Sequence, residues 1–209
     1  MYDLPHHKEK DHEVIIQFMK DHPFIFLTGS DSVNKPVATQ VPVFIDEKEG
    51  KYFLTGHIMR NTDHHKAFEQ NKNVLAVFTG PHTYVSATWY TSPVGSTWNY
   101  MSVHAKGTIR FGDTGELISV LRRLTLHYEN NNTASATVFD NLPAEYTERM
   151  MKGIVPFEIE INDLQHVFKL SQDRDEKSYD NIIQQLKQKN GDAKMIAAIM
   201  EKRKSKVFP

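Results

Sequence analysis

The sequence contains no cysteine. That excludes disulfides, thiolate nucleophiles, thiolate-bound zinc and iron–sulfur clusters, so any redox chemistry has to rest on a borrowed cofactor. An excess of one charge is also missing: 25 Lys and Arg stand against 26 Asp and Glu, a net charge of -1. No global basic field exists to hold DNA phosphates, and any nucleic-acid contact has to be local. Apolar runs such as residues 195–200 are far too short to cross a bilayer, and the opening residues MYDLPHHKEKDHEV are polar. A cytoplasmic protein without a membrane partner is the expectation. GxGxxG after a strand, GxxxxGK[ST], HExxH and GxSxG are all absent, which removes the signatures of Rossmann, P-loop, zincin and hydrolase-elbow sites. No repeat or low-complexity linker divides the 209 residues. The expected organisation is one domain over 1–190 with helical decorations, then a C-terminal helix and basic tail over 191–209.

What the chain does have is alternation. After a short amphipathic helix over 13–19, residues 23–29 read as a buried strand and 36–46 as a second, whose internal Pro42 argues for an edge or a bulge. A hairpin turn over 46–50 leads to a third strand over 51–56. A fourth, 73–79, is expected to end at Gly80-Pro81, and a long fifth runs over 97–110 with Asn99, Met101, Val103, Ala105, Gly107 and Ile109 on one face. A helix over 113–128, capped by Asp113 or Thr114, carries an apolar stripe of Leu117, Ile118, Leu121, Leu124 and Thr125. A short helix near 144–151 precedes two strands, 153–161 and 164–171, turning at Asn162-Asp163. The last forty residues read as helices broken at Asn190-Gly191.

Two stretches carry possible chemistry. Between the third strand and the next helix, Arg60 precedes a helix start capped by Asn61 or Thr62. Free backbone N–H groups and a guanidinium suit an anion, although the same pattern describes an ordinary capped helix with Asp63 in the favourable place. The second stretch, 80–110, interleaves Tyr84, Trp89, Tyr90, Trp98 and Tyr100 with His82, Ser86, Thr88 and Asn99. Such a surface suits a flat ring system, while aromatics also dominate ordinary cores. His6-His7 and His64-His65 are adjacent pairs that cannot converge on one metal from a regular element, so no metal site is expected.

Residues 80–90 (GPHTYVSATWY), Thr97-Trp98-Asn99-Tyr100, Val103-His104 with Gly107, residues 153–160 (GIVPFEIE) and Lys169-Leu170-Ser171-Gln172 together resemble the PaiB family of FMN-binding proteins, described as negative transcriptional regulators. The resemblance runs from about residue 1 to 185. It implies a mainly β (α+β) FMN-binding split β-barrel of the flavin-reductase and pyridoxamine-phosphate-oxidase-like class, with FMN in clefts between the subunits of a homodimer. It places the phosphate on residues 54–66, with Arg60, Asn61 and Lys66 as partners and His57 within the same segment. It lays Thr39, Gln40 and Val41 along the isoalloxazine and brings Trp98, Asn99 and Ser102 from the partner subunit.

Two functions follow from the resemblance. One is an FMN-binding regulator, whose direct grip on DNA would fall to Lys202–Lys206, since no helix-turn-helix is evident. The other is an FMN-dependent oxidoreductase linked to NAD(P)H or oxygen, in which the cofactor carries the chemistry and His57, His82 or His104 supplies a proton.

Overall fold

Asp11 starts the first α-helix by accepting a hydrogen bond from the Glu13 amide in the computed structural model, which describes Tyr2 and residues 4–209. In chain order the elements are α1 (His12–Asp21), β1 (Phe24–Ser30), β2 (Pro36–Pro42), β3 (Phe44–Lys48), β4 (Lys51–Met59), α2 (Asp63–Gln70), β5 (Asn73–Val85), β6 (Thr97–Phe111), α3 (Thr114–Tyr128), α4 (Ala144–Lys152), β7 (Ile154–Lys169), α5 (Glu176–Lys187) and α6 (Asp192–Val207). The strands form one antiparallel sheet in the order β2-β1-β5-β6-β7-β4-β3. The chain divides into two units, and β5, β6 and β7 contribute residues to both.

One unit comprises Pro23–Val77 and Ala105–Leu164. Its strands pair β1 with β2 and β5, and β4 with β3 and β7. The expected second strand over 36–46 is in fact two strands, β2 and β3, and both lie at sheet edges. Pro42 is where the chain leaves one edge for the other, because a residue without an N–H is tolerated there and not inside a ladder. The β3–β4 turn is shorter than the expected 46–50: only Glu49 and Gly50 lie outside the strands, at φ 53° and 74°, the left-handed pair that matches strand twist. β4 outlasts its expected end at Gly56 by three residues and reaches Met59, since Phe157 through Ile154 of β7 continue to pair with it.

The hairpin expected at Asn162-Asp163 does not form, and β7 is continuous from Ile154 to Lys169. Side chains that would favour a turn are engaged across the sheet instead. Asn162 donates to the Thr108 hydroxyl at 3.0 Å, and Asp163 pairs with Lys106 at 3.0 Å. Gly107 lets this happen, because a Cβ there would sit 2.3 Å from the Glu160 carbonyl oxygen. Ile25, Leu27, Leu54, Phe68, Ala76, Ile109 and Ile159 form the core of this unit. Helix α3 follows the expected stripe only in part: Leu117 is buried, while Ile118, Leu121 and Leu124 stay half-exposed. Its cap is Asp113, in a reciprocal pair with Glu116.

The other unit comprises the chain up to His22, Phe78–His104 and Gln165–Pro209. Here β5 does not stop at Gly80-Pro81 but continues to Val85. Gly80 serves close packing: a Cβ would lie 2.6 Å from the Phe18 ring, so glycine lets α1 lie on the strand. Tyr179, Ile182, Ile183 and Leu186 of α5 pack with Ile196, Ala197 and Met200 of α6, and the Tyr179 hydroxyl donates to the Met200 carbonyl at 3.0 Å. The basic tail is helical to Val207. Among the described residues no helix is long and apolar enough to cross a membrane.

Candidate functional site

The end of β4 delivers Arg60 with its backbone already fixed. The Arg60 amide donates to the Gly153 carbonyl at 2.8 Å, and its Nε donates to the Ile154 carbonyl at 2.8 Å. Anchored along one edge, the guanidinium has no acidic partner among the described residues, so its terminal nitrogens are available. Asn61 then takes φ 64°, a left-handed conformation that turns the chain into α2. Thr62 is the N-cap: its hydroxyl accepts from the His65 amide at 3.3 Å and donates to the Met59 carbonyl at 3.1 Å.

The histidine pair, considered from sequence only as metal ligands, braces this loop. His65 Nδ1 accepts from the Asn61 amide at 3.4 Å, and its ring stands against Phe111 with centroids 4.8 Å apart. Burial holds the His65 pKa below the ordinary histidine value and so favours the neutral ring, and the Asn61 contact selects the tautomer with its proton on Nε2. His64 Nε2 lies 3.0 Å from the Thr62 hydroxyl. The signal for this role was the position of both rings in the first turn after a cap.

Charge at the entry to α2 is mixed but leans positive. Lys66 is exposed one turn in and has no acidic partner among the described residues. Asp63 opposes it, and its Oδ1 accepts from the His64 amide at 2.7 Å. That hydrogen bond holds the Asp63 pKa below the usual carboxylate range. Arg60 and Lys66 thus outnumber the one carboxylate beside a helix N-terminus.

Helix α2 packs on β1 and β2, and β4 touches β2, so the strand named for the ring and the segment named for the phosphate are neighbours in one unit. Thr39, Gln40 and Val41 pair with Leu27, Phe26 and Ile25 of β1. As an edge strand, β2 has no strand partner for the backbone groups that face away from β1. Gln40 is exposed, Thr39 half-buried and Val41 buried. His57 is half-buried on β4, and burial lowers its pKa, so the ring is neutral at neutral pH. The donor set fits a flavin nucleotide: unpaired cations at a helix start for a phosphate, and open strand-edge groups for a ring bearing donors and acceptors.

Trp98, Asn99 and Ser102 sit on β6 in the other unit. Trp98 is 53% exposed, with Tyr84 and His82 rings at 6.2 and 6.1 Å. Asn99 is fully buried; its Nδ2 contacts the Met200 sulfur at 3.5 Å and its Oδ1 accepts from the Ser171 hydroxyl at 2.9 Å. Ser102 donates to the Phe78 carbonyl at 3.1 Å. Of these three, only Trp98 presents a free surface.

The family model described as "Putative FMN-binding domain" matches residues 1–163. The chain is 34% identical over 202 residues to "Protease synthase and sporulation protein PAI 2" of Bacillus subtilis, covering 96% of this chain and 97% of that protein. Among solved structures it resembles the conserved hypothetical protein Rv2991 of Mycobacterium tuberculosis (TM-score 0.57, 12% identity, 80% of this chain and 90% of that one). It also resembles the flavocytochrome Anf3 of Azotobacter vinelandii (TM-score 0.55, 15% identity, 82% and 74%). These structural likenesses bear on the fold alone, a split β-barrel as the resemblance implied. With the family match spanning most of its length and a relative covered almost end to end, the chain belongs to the FMN-binding-domain family, with FMN as its cofactor.

Proposed function

We propose that the protein is an FMN-loaded homodimer of the PaiB regulator type, with the flavin phosphate at the start of α2 and the ring along β2. The observation that carries the reading is Arg60, oriented through Nε and free of any acidic partner among the described residues. In this reading the terminal nitrogens of Arg60, the Asn61 loop and Lys66 hold the phosphate, while backbone groups of Thr39, Gln40 and Val41 meet the pyrimidine edge of the ring. His57 stays neutral beside them. FMN supplies redox capacity when bound; the chain positions it and shields it.

Exposed apolar groups beside the site support a second subunit. Phe24 is 57% and Phe26 43% exposed on β1, and Phe26 is paired with Gln40; Met59, next to Arg60, is 64% exposed. Apolar surface rimmed by polar groups is the mark of an interface. The Bacillus subtilis relative, named a protease synthase and sporulation protein, stands in a negative-regulator family, and that likeness supports a regulatory role here. Direct DNA contact through residues 202–206 is not part of this reading, because Arg203 pairs with Glu9 at 2.6 Å and Lys204 with Asp180 at 2.8 Å.

Titration of apo-protein with FMN, followed by flavin fluorescence, tests the cofactor site. Arg60→Ala should weaken binding by about 1.5–3 kcal/mol, roughly 10- to 150-fold, the scale of one charge-assisted hydrogen bond. Unchanged affinity with an intact fold would move the phosphate site elsewhere.

A further inference from the structure

In the unit that holds the N-terminal and C-terminal helices, α1 and α6 flank a groove of about 530 Å³. Its walls are Val14 and Phe18 of α1 and Met195 and Ile199 of α6, over a floor of Pro81 and Met101. Phe18, Pro81 and Met101 are buried, whereas Val14 and Ile199 are half-exposed and Met195 is 52% exposed. The groove therefore keeps apolar surface wet, at a cost that an apolar occupant would relieve. Methionine at the open wall gives it an adaptable shape.

Charge around the groove is sorted. Of the basic residues in the last turns of α6, Lys204 faces Asp180 and Glu176, away from the groove. Arg203 lines the groove and pairs with Glu9. Lys202 and Lys206 also line it, and neither has an acidic partner among the described residues. At the α1 side Asp21 accepts from the Gln17 amide at 2.8 Å, and His22 Nδ1 lies 2.8 Å from the Phe18 carbonyl oxygen. An apolar trough with two unpaired ammonium groups at its rim is complementary to an apolar body with an anionic head.

We propose that this groove binds a free medium-chain aliphatic carboxylate, its chain between α1 and α6 and its head group on Lys202 and Lys206. The site is separate from the flavin residues in sequence and chemistry, and the proposal does not depend on FMN. It gives the basic end of α6 a role that its ion-paired neighbours cannot share. Duplex DNA is a poorer fit, because its phosphates would meet two lysines and a trough of apolar side chains.

Dodecanoate, kept below its aggregation concentration, is the probe, and isothermal titration calorimetry on the full-length protein is the measurement. Saturable binding of one dodecanoate per chain is expected. The double substitution Lys202→Ala, Lys206→Ala should weaken it at least about tenfold, the scale of one lost charge-assisted contact. Dodecanol should bind correspondingly more weakly and ignore the double substitution. Ile199→Trp, which fills the groove, should abolish binding of both. Near-UV circular dichroism and FMN affinity should be unchanged in the double variant, since both lysines are exposed and neither is among the residues assigned to the flavin. No dodecanoate binding to the wild type overturns the proposal, as does equal binding to the double variant or to Ile199→Trp. Binding confined to anionic vesicles or to duplex DNA, lost on removing the two lysines, overturns it in favour of a surface that only reads charge.

Discussion

Single side chains decide more here than their number suggests. Ser171 is 1% exposed and sits at φ 60°, a conformation that costs a non-glycine residue about 1–2 kcal/mol. What holds it there is its hydroxyl, which donates to Asn99 Oδ1 at 2.9 Å inside the core. Ser171→Ala keeps the backbone cost and leaves a buried amide oxygen without its donor, so urea unfolding should show a loss of about 1–3 kcal/mol. Ser171→Gly loses the same bond but relieves the left-handed cost, and should lose less than the alanine variant. The reverse order would mean that the left-handed conformation costs little at this position. The same residue shows where sequence reading stops. Ser171 and Asn99 were visible as motif residues, yet nothing in their spacing of 72 positions shows that they meet. The resemblance names Asn99 as a flavin contact from a partner subunit, whereas its polar groups are engaged within its own unit.

At the level of elements, periodicity was legible and termination was not. The alternation over 97–110 became β6 with its apolar face buried as expected, and Thr62 was one of two caps proposed for α2. Turn residues do not end a strand where tertiary contacts outweigh local preference. Gly80-Pro81 and Asn162-Asp163 carry turn residues, but Phe18 packing on the first and the pairing of Thr108 and Lys106 with the second keep both extended. The strand total survived because one expected strand divided and two merged. For α3 the cap should matter more than usual, because its stripe is only partly covered and packing contributes little. Asp113 accepts from the Glu116 amide at 2.9 Å while Glu116 accepts from the Asp113 amide at 3.0 Å. Asp113→Ala should lower stability by about 1 kcal/mol, seen as a lower thermal midpoint, and Asp113→Ser should restore most of it. An unchanged midpoint would mean that α3 is held by its side chains alone.

For the whole molecule, the capped start of α2 behind Arg60 was legible because a helix start and an arginine are local signals, whereas the proposed subunit arrangement depends on surfaces the sequence does not order. The exposed Phe24 and Phe26 put that arrangement at risk of a simple test. If they face a second subunit, Phe26→Asp should shift the protein to monomer in sedimentation velocity and weaken FMN binding together with it, since a charge buried at an interface costs several kcal/mol. Loss of the dimer with flavin affinity intact would place the cofactor within one chain.

Acid sensitivity should be a second property of the whole chain, because both units bury histidine. Burial is the leading cause of a lowered pKa at His7 and His166 in one unit and at His57 and His65 in the other. The unfolded chain takes up these protons near pH 6.5, while the folded chain resists them until lower pH. Between those limits the unfolded state binds more protons, so the free energy of unfolding falls as pH falls. Above pH 7 both states leave the rings neutral and the slope should vanish. Carboxylates act in a separate window. Burial alone would raise the Glu158 pKa, but hydrogen bonds from Lys48 and Arg110 prevail and lower it, so its contribution is lost only below the ordinary carboxylate range, near pH 4.5. Urea midpoints of apo-protein at fixed concentration should therefore be level from pH 8 to about 7 and decline from about 6.5 to 5.5. His57→Gln should flatten part of that decline, because glutamine gains no proton in either state. A midpoint that holds steady down to pH 5.5 would mean that the buried rings accept protons in place, and would remove the basis for a neutral His57 beside the flavin.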